Sequence, residues 1–394
     1  MGFSQALSGL RAAAVNLDVI SNNIANSQIV GFKSARAQFS DIYANAQVGL
    51  GTRVAAVLQD FSEGNLETTN RSMDLAISGK GMFRFDQGGQ VQYSRNGQLS
   101  MDKDGYIVNV QGARLTGYPD GVDVGGQPQV LQVPAQGLAA SASTQISATF
   151  NLDAATPILD PATVTFDPTD VNTYSYSNSV TMFDSLGNPQ QAQMYFSKVG
   201  ANQWEIRVGS DGGMAPEVGT AEFNGNGVMI NTANLGGFTF NPGGGANPMS
   251  VALNLNNTTQ FSNTFELSSV SQNGYGSGTL MQVRISDAGE VVGTYSNEQQ
   301  RILGTIALAN FQSMEGLQPV GDNAFIETTK SGPAIVATAG VGQFGSIMSG
   351  AVEASNVDLT QELVAMIIAQ RNYQANAQSI KSQDEALQTT MNLR

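Results

Sequence analysis

Apolar and small residues near the N-terminus recur in alternating steps of four and three: Phe3, Leu7, Leu10, Ala14, Leu17 and Ile24, with Ser21 filling the one polar slot. The same rhythm runs through Leu359, Leu363, Met366, Gln370, Tyr373, Ala377, Ile380, Asp384, Leu387 and Met391. Such alternation is the seam of a coiled coil. The spacing predicts one helix over 3–26 and another over 359–391. Ser355, Asn356 and Asp358 precede the second, and Asp358 with Gln361 has capping-box spacing. Gly9 and several β-branched or polar residues lower the propensity of the first helix. Each narrow stripe needs a partner, and the other helix supplies one. Pairing the two ends brackets everything between them, so the middle domains are expected to be nested, each inner one inserted into the one outside it.

Between the helices the period drops to two. Short alternating runs predict strands at 91–94, 106–110, 164–166, 179–183, 192–196, 204–208, 238–240, 280–285, 291–295 and 302–308. Gly, Pro and Asn punctuate them regularly, as in sandwiches and barrels. Segments 118–137 and 236–248 are Gly/Pro-rich and read as loops, and Pro157, Pro161 and Pro168 make 153–170 a poor central strand. The expected fold is mainly β with terminal α-helices that pair as a coiled coil, enclosing nested β-barrel or β-sandwich-like domains. An inserted outer domain is placed at 146–278, flanked by two halves of another.

Composition narrows the chemistry. The 394 residues include no His and no Cys, which removes Ser-His-Asp and Cys-His catalysis, Cys/His zinc sites and disulfides. A net charge of −14 argues against nucleic acid as a partner. No run approaches the roughly 18 apolar residues of a membrane span. The first residues lack the basic and apolar regions of a cleavable secretory signal. No cofactor or metal is expected. Gly340, Gly342 and Gly345 fit a dinucleotide fingerprint, but without a βαβ unit they read as a connector ahead of the terminal helix. Asp102-Lys103-Asp104-Gly105 reads as a hairpin turn rather than a calcium loop, and Gly79-Lys80-Gly81 lacks P-loop spacing. Glu205, Asp211, Glu217 and Glu222 are the carboxylates available for acid–base work; solvated surface charges are the simpler reading, and no catalytic residue is assigned. Asn22, Asn23 and Asn26 read as a cap of the first helix, and Gly31-Phe32-Lys33 as a turn with an anchoring aromatic. Gln370 and Asp384 are polar seam positions of the kind that fixes register.

Asn22-Asn23-Ile24-Ala25-Asn26 followed by Gly31-Phe32-Lys33 resembles the N-terminal signature of the bacterial flagellar rod and hook proteins; Ile29 stands where members of that family often have Thr. Glu353-Ala354-Ser355-Asn356-Val357-Asp358, then Glu362-Leu363-Val364 and Ala369-Gln370-Arg371-Asn372-Tyr373, resembles the matching C-terminal signature. Ser94-Arg95-Asn96-Gly97, Leu115-Thr116-Gly117-Tyr118 and Tyr295-Ser296-Asn297 are similar to hook members of the family. The resemblance covers about 1–145 and 270–394. It implies a helical domain from 1–30 and 358–394, a connecting segment from 31–71 and 340–357, an inner β-domain from 72–145 and 279–339, and the outer domain. It further implies a non-enzymatic subunit of a curved tube that joins rod to filament and transmits torque as a universal joint. The implied partners are further copies of the chain, rod proteins, a cap protein, hook–filament junction proteins and a type III export apparatus. The implied place is outside the cell, reached without a cleaved signal, and the terminal helices are expected to order only on joining the polymer. The rivals are a distal rod subunit and, from another class, a β-rich adhesin, which one Trp serves poorly as an aromatic platform.

Overall fold

The computed structural model describes residues 2–42, 51–210, 213–214, 219–233 and 236–392, in two compact units. One comprises Met1–Ala135, Gln282–Thr294 and Gln300–Arg394; the other comprises Gln136–Met281 and Tyr295–Gln299. The carboxylates Asp211 and Glu217 lie outside the described residues.

The first unit carries both helices, α1 (Gly2–Ala25) and α2 (Leu359–Asn392). They are antiparallel. Asn23 of α1 bonds Glu362 of α2, and fourteen residues back along α1, Gly9 faces Asn376, fourteen residues onward along α2. The contact does not run along the predicted stripe. Gly9 and Asn23 approach α2 and Ala13 is buried, each one residue before a predicted seam position. On α2 the facing residues Glu362 and Asn376, and the buried Ala369, are displaced by one in the same way. Small side chains let the two helices come close. A β-bonded hairpin, Ala35–Asp41 with Thr52–Gln59, lies beside α1, where Ser8 Oγ accepts the Thr52 N–H at 3.2 Å.

The rest of this unit is a 12-stranded sheet and two short strand pairs. Its longest strand, Gln300–Asn310, pairs antiparallel with Glu290–Tyr295, Arg114–Pro119, Met82–Gln87 and Ile335–Thr338. Alternation has given way there to a continuous buried run, Ile306 to Ala309. This is the pattern of a strand covered on both faces. Leu66–Thr68 pairs with Ala351–Glu353, and Leu75–Ser78 with Ser346–Ser349, so residues far apart in sequence are knitted together.

The second unit stacks two sheets. In one, Gln145–Asp153 is central, parallel to Met249–Asn254 and Thr259–Phe261 and antiparallel to Glu266–Gln272. The other runs antiparallel from Tyr176–Phe183 through Pro189–Gly200, Gln203–Ser210 and Gly219–Phe223 to Met229–Ala233. Every second residue of 145–153 is buried, as a strand with one face on a core requires. Phe150, Phe196 and Trp204 fill the space between the sheets, and the Trp204 indole N–H donates to Gln260 Oε1 at 2.7 Å.

Two expectations change. Residues 164–166 are not a strand; the segment between Asp153 and Tyr176 holds only a short 3-10 turn, its prolines having withdrawn it from the ladder. The strand expected at 238–240 is present as Phe238–Phe240, within the stretch 236–248 that otherwise reads as loop. Gly340 to Gly345 form a bonded turn between two strands, not a connector leading into α2: the Gly340 N–H donates to the Gly345 carbonyl, and the Gly345 N–H to that of Lys80. The 102–105 segment is the expected hairpin turn, with the Asp102 carboxylate accepting the N–H groups of Asp104 and Tyr106.

Candidate functional site

Three of the chain's few charges meet in the interior of the first unit. Glu353 is fully buried, at the end of the strand that pairs with Leu66–Thr68. Its Oε1 lies 2.6 Å from Lys33 Nζ, and its Oε2 accepts the Arg95 Nε–H at 2.6 Å. Oε1 also accepts the Gly64 N–H. Lys33 gives a further bond to the Ser62 carbonyl at 2.5 Å. Arg95 spends its fork on backbone carbonyls: Nη1 on Gly79 and Gly81, and Nη2 on Ile77. Gly79-Lys80-Gly81 therefore has a job after all, since its inward-facing carbonyls anchor a guanidinium. Burial pulls the Lys33 ammonium below the usual lysine range, while the charge of Glu353 holds it up.

A second set of bonds braces the same junction. The Asn356 side chain accepts the Ser34 N–H and donates to the Asp60 carbonyl, each at 2.8 Å. Asn23 exchanges both its amide groups with the backbone of Ala35, at 2.8 and 2.9 Å. The Gly31 N–H donates to the Glu353 carbonyl at 2.7 Å. Gly31 has φ of +72°, and a Cβ there would sit 2.5 Å from the Asn96 nitrogen, so only glycine lets the chain turn this close to the Arg95 strand.

The N-terminal and C-terminal signature residues thus fall into two groups. Gly31, Lys33, Glu353, Asn356 and Asn23 make the clasp, together with Arg95. Asn26 caps α1, its N–H and its side chain both donating to the Asn22 carbonyl, while Asn22 lies within the helix and is exposed. Ser355 accepts the Val357 N–H; Phe32 and Val357 are half-buried, while Ala25 and Arg371 are exposed. Asn23 is not merely a cap, because its side chain reaches past the helix end to the hairpin. Neither Arg95 nor the carbonyls around it follow from spacing. The available signal is scarcity: only 13% of residues are charged, so an Arg at the end of an alternating run is informative.

On the helices, Leu7, Leu10, Ala14, Leu17 and Ile24 are half-buried beside the contact, as are Met366, Ala377 and Ile380. Leu363, Gln370, Tyr373 and Leu387 are exposed. Glu205 is paired with Arg207 and Glu222 accepts from Gln203, so these two carboxylates are engaged by neighbours on their own sheet.

The arrangement is that of a structural joint. Comparison with known proteins gives it a class. Models of the flagella basal body rod protein, the flagellar hook protein FlgE/F/G D1 domain, the flagellar basal body protein FlaE D2 domain and the flagellar basal body rod FlgEFG protein C-terminal region match residues 4–33, 76–151, 151–275 and 348–393. The chain is therefore built as an axial structural protein of the flagellum, and Lys33, Arg95 and Glu353 each come from a different matched region. It is 46% identical over 404 residues to the flagellar hook protein FlgE of Escherichia coli (strain K12), with all of both chains covered. It is 30% identical over 458 residues to that of Treponema pallidum (strain Nichols), with 98% of each covered. The crystal structure of the Helicobacter pylori flagellar hook protein FlgE2 shares the fold, with a TM-score of 0.55 at 13% identity over 73% of this chain and all of that one. The chain belongs to the flagellar hook protein family.

Arg95→Lys keeps the charge but cannot reach three carbonyls and a carboxylate together. Buried carbonyls left unpaired cost about 1–3 kcal/mol each, so the substitution is expected to lower the unfolding free energy by at least about 2 kcal/mol in urea. Asp60 adds a pH dependence. Its carboxylate is held below the ordinary 3.8, chiefly by the Ser62 N–H. A depressed carboxylate stabilises the fold above its unfolded value, and that contribution is lost as pH falls through the folded one. Melting temperature should therefore drop below about pH 3.8, and less steeply in Asp60→Asn, which keeps the Ser62 bond.

Proposed function

We propose that the chain is the repeating subunit of a bacterial flagellar hook, polymerising into a curved, flexible tube that passes torque from rod to filament. One observation carries the polymer: the paired helices leave their larger apolar residues outward. Leu363, Val364, Ile367 and Ile368 are each about half exposed, and Leu387 is 60% exposed. A contiguous apolar face of this kind is unusual on a monomer. Facing copies of itself in a heterologous, non-closing arrangement, it gives a helical filament. The remainder of the reading is supported by the family: the helical ends (1–30, 358–394) line the tube, the connecting segment (31–71, 340–357) and inner β-domain (72–145, 279–339) surround them, and the outer domain (146–278) is an insertion in the inner one. Rod, cap and hook–filament junction proteins are the neighbours this implies, with export by a type III apparatus to an extracellular position. Ordering of the helical ends on addition to the tube belongs to the same reading. Full-length similarity and the matched D2 domain favour hook over rod.

Negative-stain electron microscopy under polymerising conditions tests this. The intact chain should give curved tubes, and a chain lacking 1–30 and 359–394 should stay monomeric. Leu363→Asp with Ile367→Asp should behave like the truncation while the β-units melt as before. Tubes from the truncated chain would remove the helices from the assembly contact.

A further inference from the structure

The clasp holds two cations on one carboxylate, and a groove opens beside it. The cavity, about 740 Å³, is lined at its base by Lys33 and Arg95 and along its wall by Phe61, Phe311, Met314 and Ile335. Lys80 stands exposed at its rim, with no carboxylate partner among the described residues. Glu63 also lines the groove, its Oε1 accepting the Gly79 N–H, so that Lys33, Lys80 and Arg95 set against Glu63 and Glu353 leave one positive charge in surplus. Among the described bonds, the Lys33 ammonium has used two of its three donors and Arg95 four of its five. A surplus positive charge taken out of water beside an apolar wall selects an occupant that carries a carboxylate and an aliphatic tip.

The second unit of the chain offers such a segment. Between Gln136 and Lys198 there is no Lys or Arg, yet there are five aspartates. The unit as a whole has eleven carboxylates and two cations. Both cations are committed: Lys198 is buried, its ammonium donating to the carbonyls of Ala154 and Thr156, and Arg207 is paired with Glu205. Within the strandless stretch 154–175, Asp160, Asp167 and Asp170 lie between the exposed Ile158 and Val171. Resting on the polymer reading above, we propose that this groove is an inter-subunit socket, occupied by the acidic 157–171 loop of a second copy, whose carboxylates complete the charge of the clasp while Ile158 or Val171 covers the apolar wall.

The test uses the full-length chain and measures the critical concentration for tube formation by sedimentation. Asp160, Asp167 and Asp170 each accept local backbone N–H bonds through Oδ1. Asn keeps that acceptor, so the triple Asp→Asn variant removes charge and spares the loop. It should raise the critical concentration roughly tenfold, as should Lys80→Glu at the exposed rim. Lys80→Glu combined with Asp160→Lys should recover most of the loss. Competition by free succinate, against chloride of equal ionic strength, should also raise the critical concentration. Three results overturn the socket: variants that assemble like the parent, a double variant no better than the sum of the singles, or a Lys80→Glu effect on the melting of the monomer alone, which would put the copy's own loop in the groove. Failure of the parent chain itself to form tubes overturns the polymer reading and the socket with it.

Discussion

A carboxylate removed from water must be given positive charge and hydrogen bonds, or the fold around it is lost. Glu353 imposes that demand on this protein. It is satisfied only when Lys33, near the start of the chain and 320 residues away, and Arg95, from the body of the sheet, reach it together. Removing one partner of such a group costs about 3–5 kcal/mol, a large part of a domain's net stability. A buried ion cluster need not add stability over an apolar packing. What it adds here is definition: hydrophobic strips can slide, but a carboxylate with two named donors and a Gly64 N–H has one place to be.

That constraint explains why the surrounding strands pair as they do. Ala351–Glu353 and Ser346–Ser349 return from the C-terminal side to pair with Leu66–Thr68 and Leu75–Ser78. Asn356 and Asn23 then fix the exits of the two helices relative to the hairpin. In a tube that bends while transmitting torque, compliance between subunits is useful and compliance inside the joint of one subunit is not. A small-residue contact between the helices serves the same end, since it holds α1 and α2 close without consuming their larger apolar side chains.

The helices and most of the strands were legible because periodicity is local. The seam was misplaced by one residue for a physical reason. Pattern reading weights Leu10, Leu17 and Leu363, the largest apolar side chains, whereas the close contact uses Gly9, Ala13, Ala369 and Asn376. Those carry little hydrophobic signal and lie one step, about 100°, around each helix. Two interfaces share each helix, and one stripe cannot report both. The clasp was illegible as geometry because its members are hundreds of residues apart; Lys33 and Glu353 were singled out only through resemblance. The strand expected at 164–166 failed because a short alternating run between prolines has no neighbour to bond.

The most direct test of the clasp is whether its charges act as one unit. A double-mutant cycle in urea, comparing Lys33→Met, Glu353→Gln and the two combined, isolates their coupling. If Glu353 ties the chain ends to the β-body through Lys33, each single variant strands a buried partner, and the combined variant should be more stable than the sum of the losses by about 1–3 kcal/mol. Losses that simply add, to within about 0.5 kcal/mol, would contradict the account.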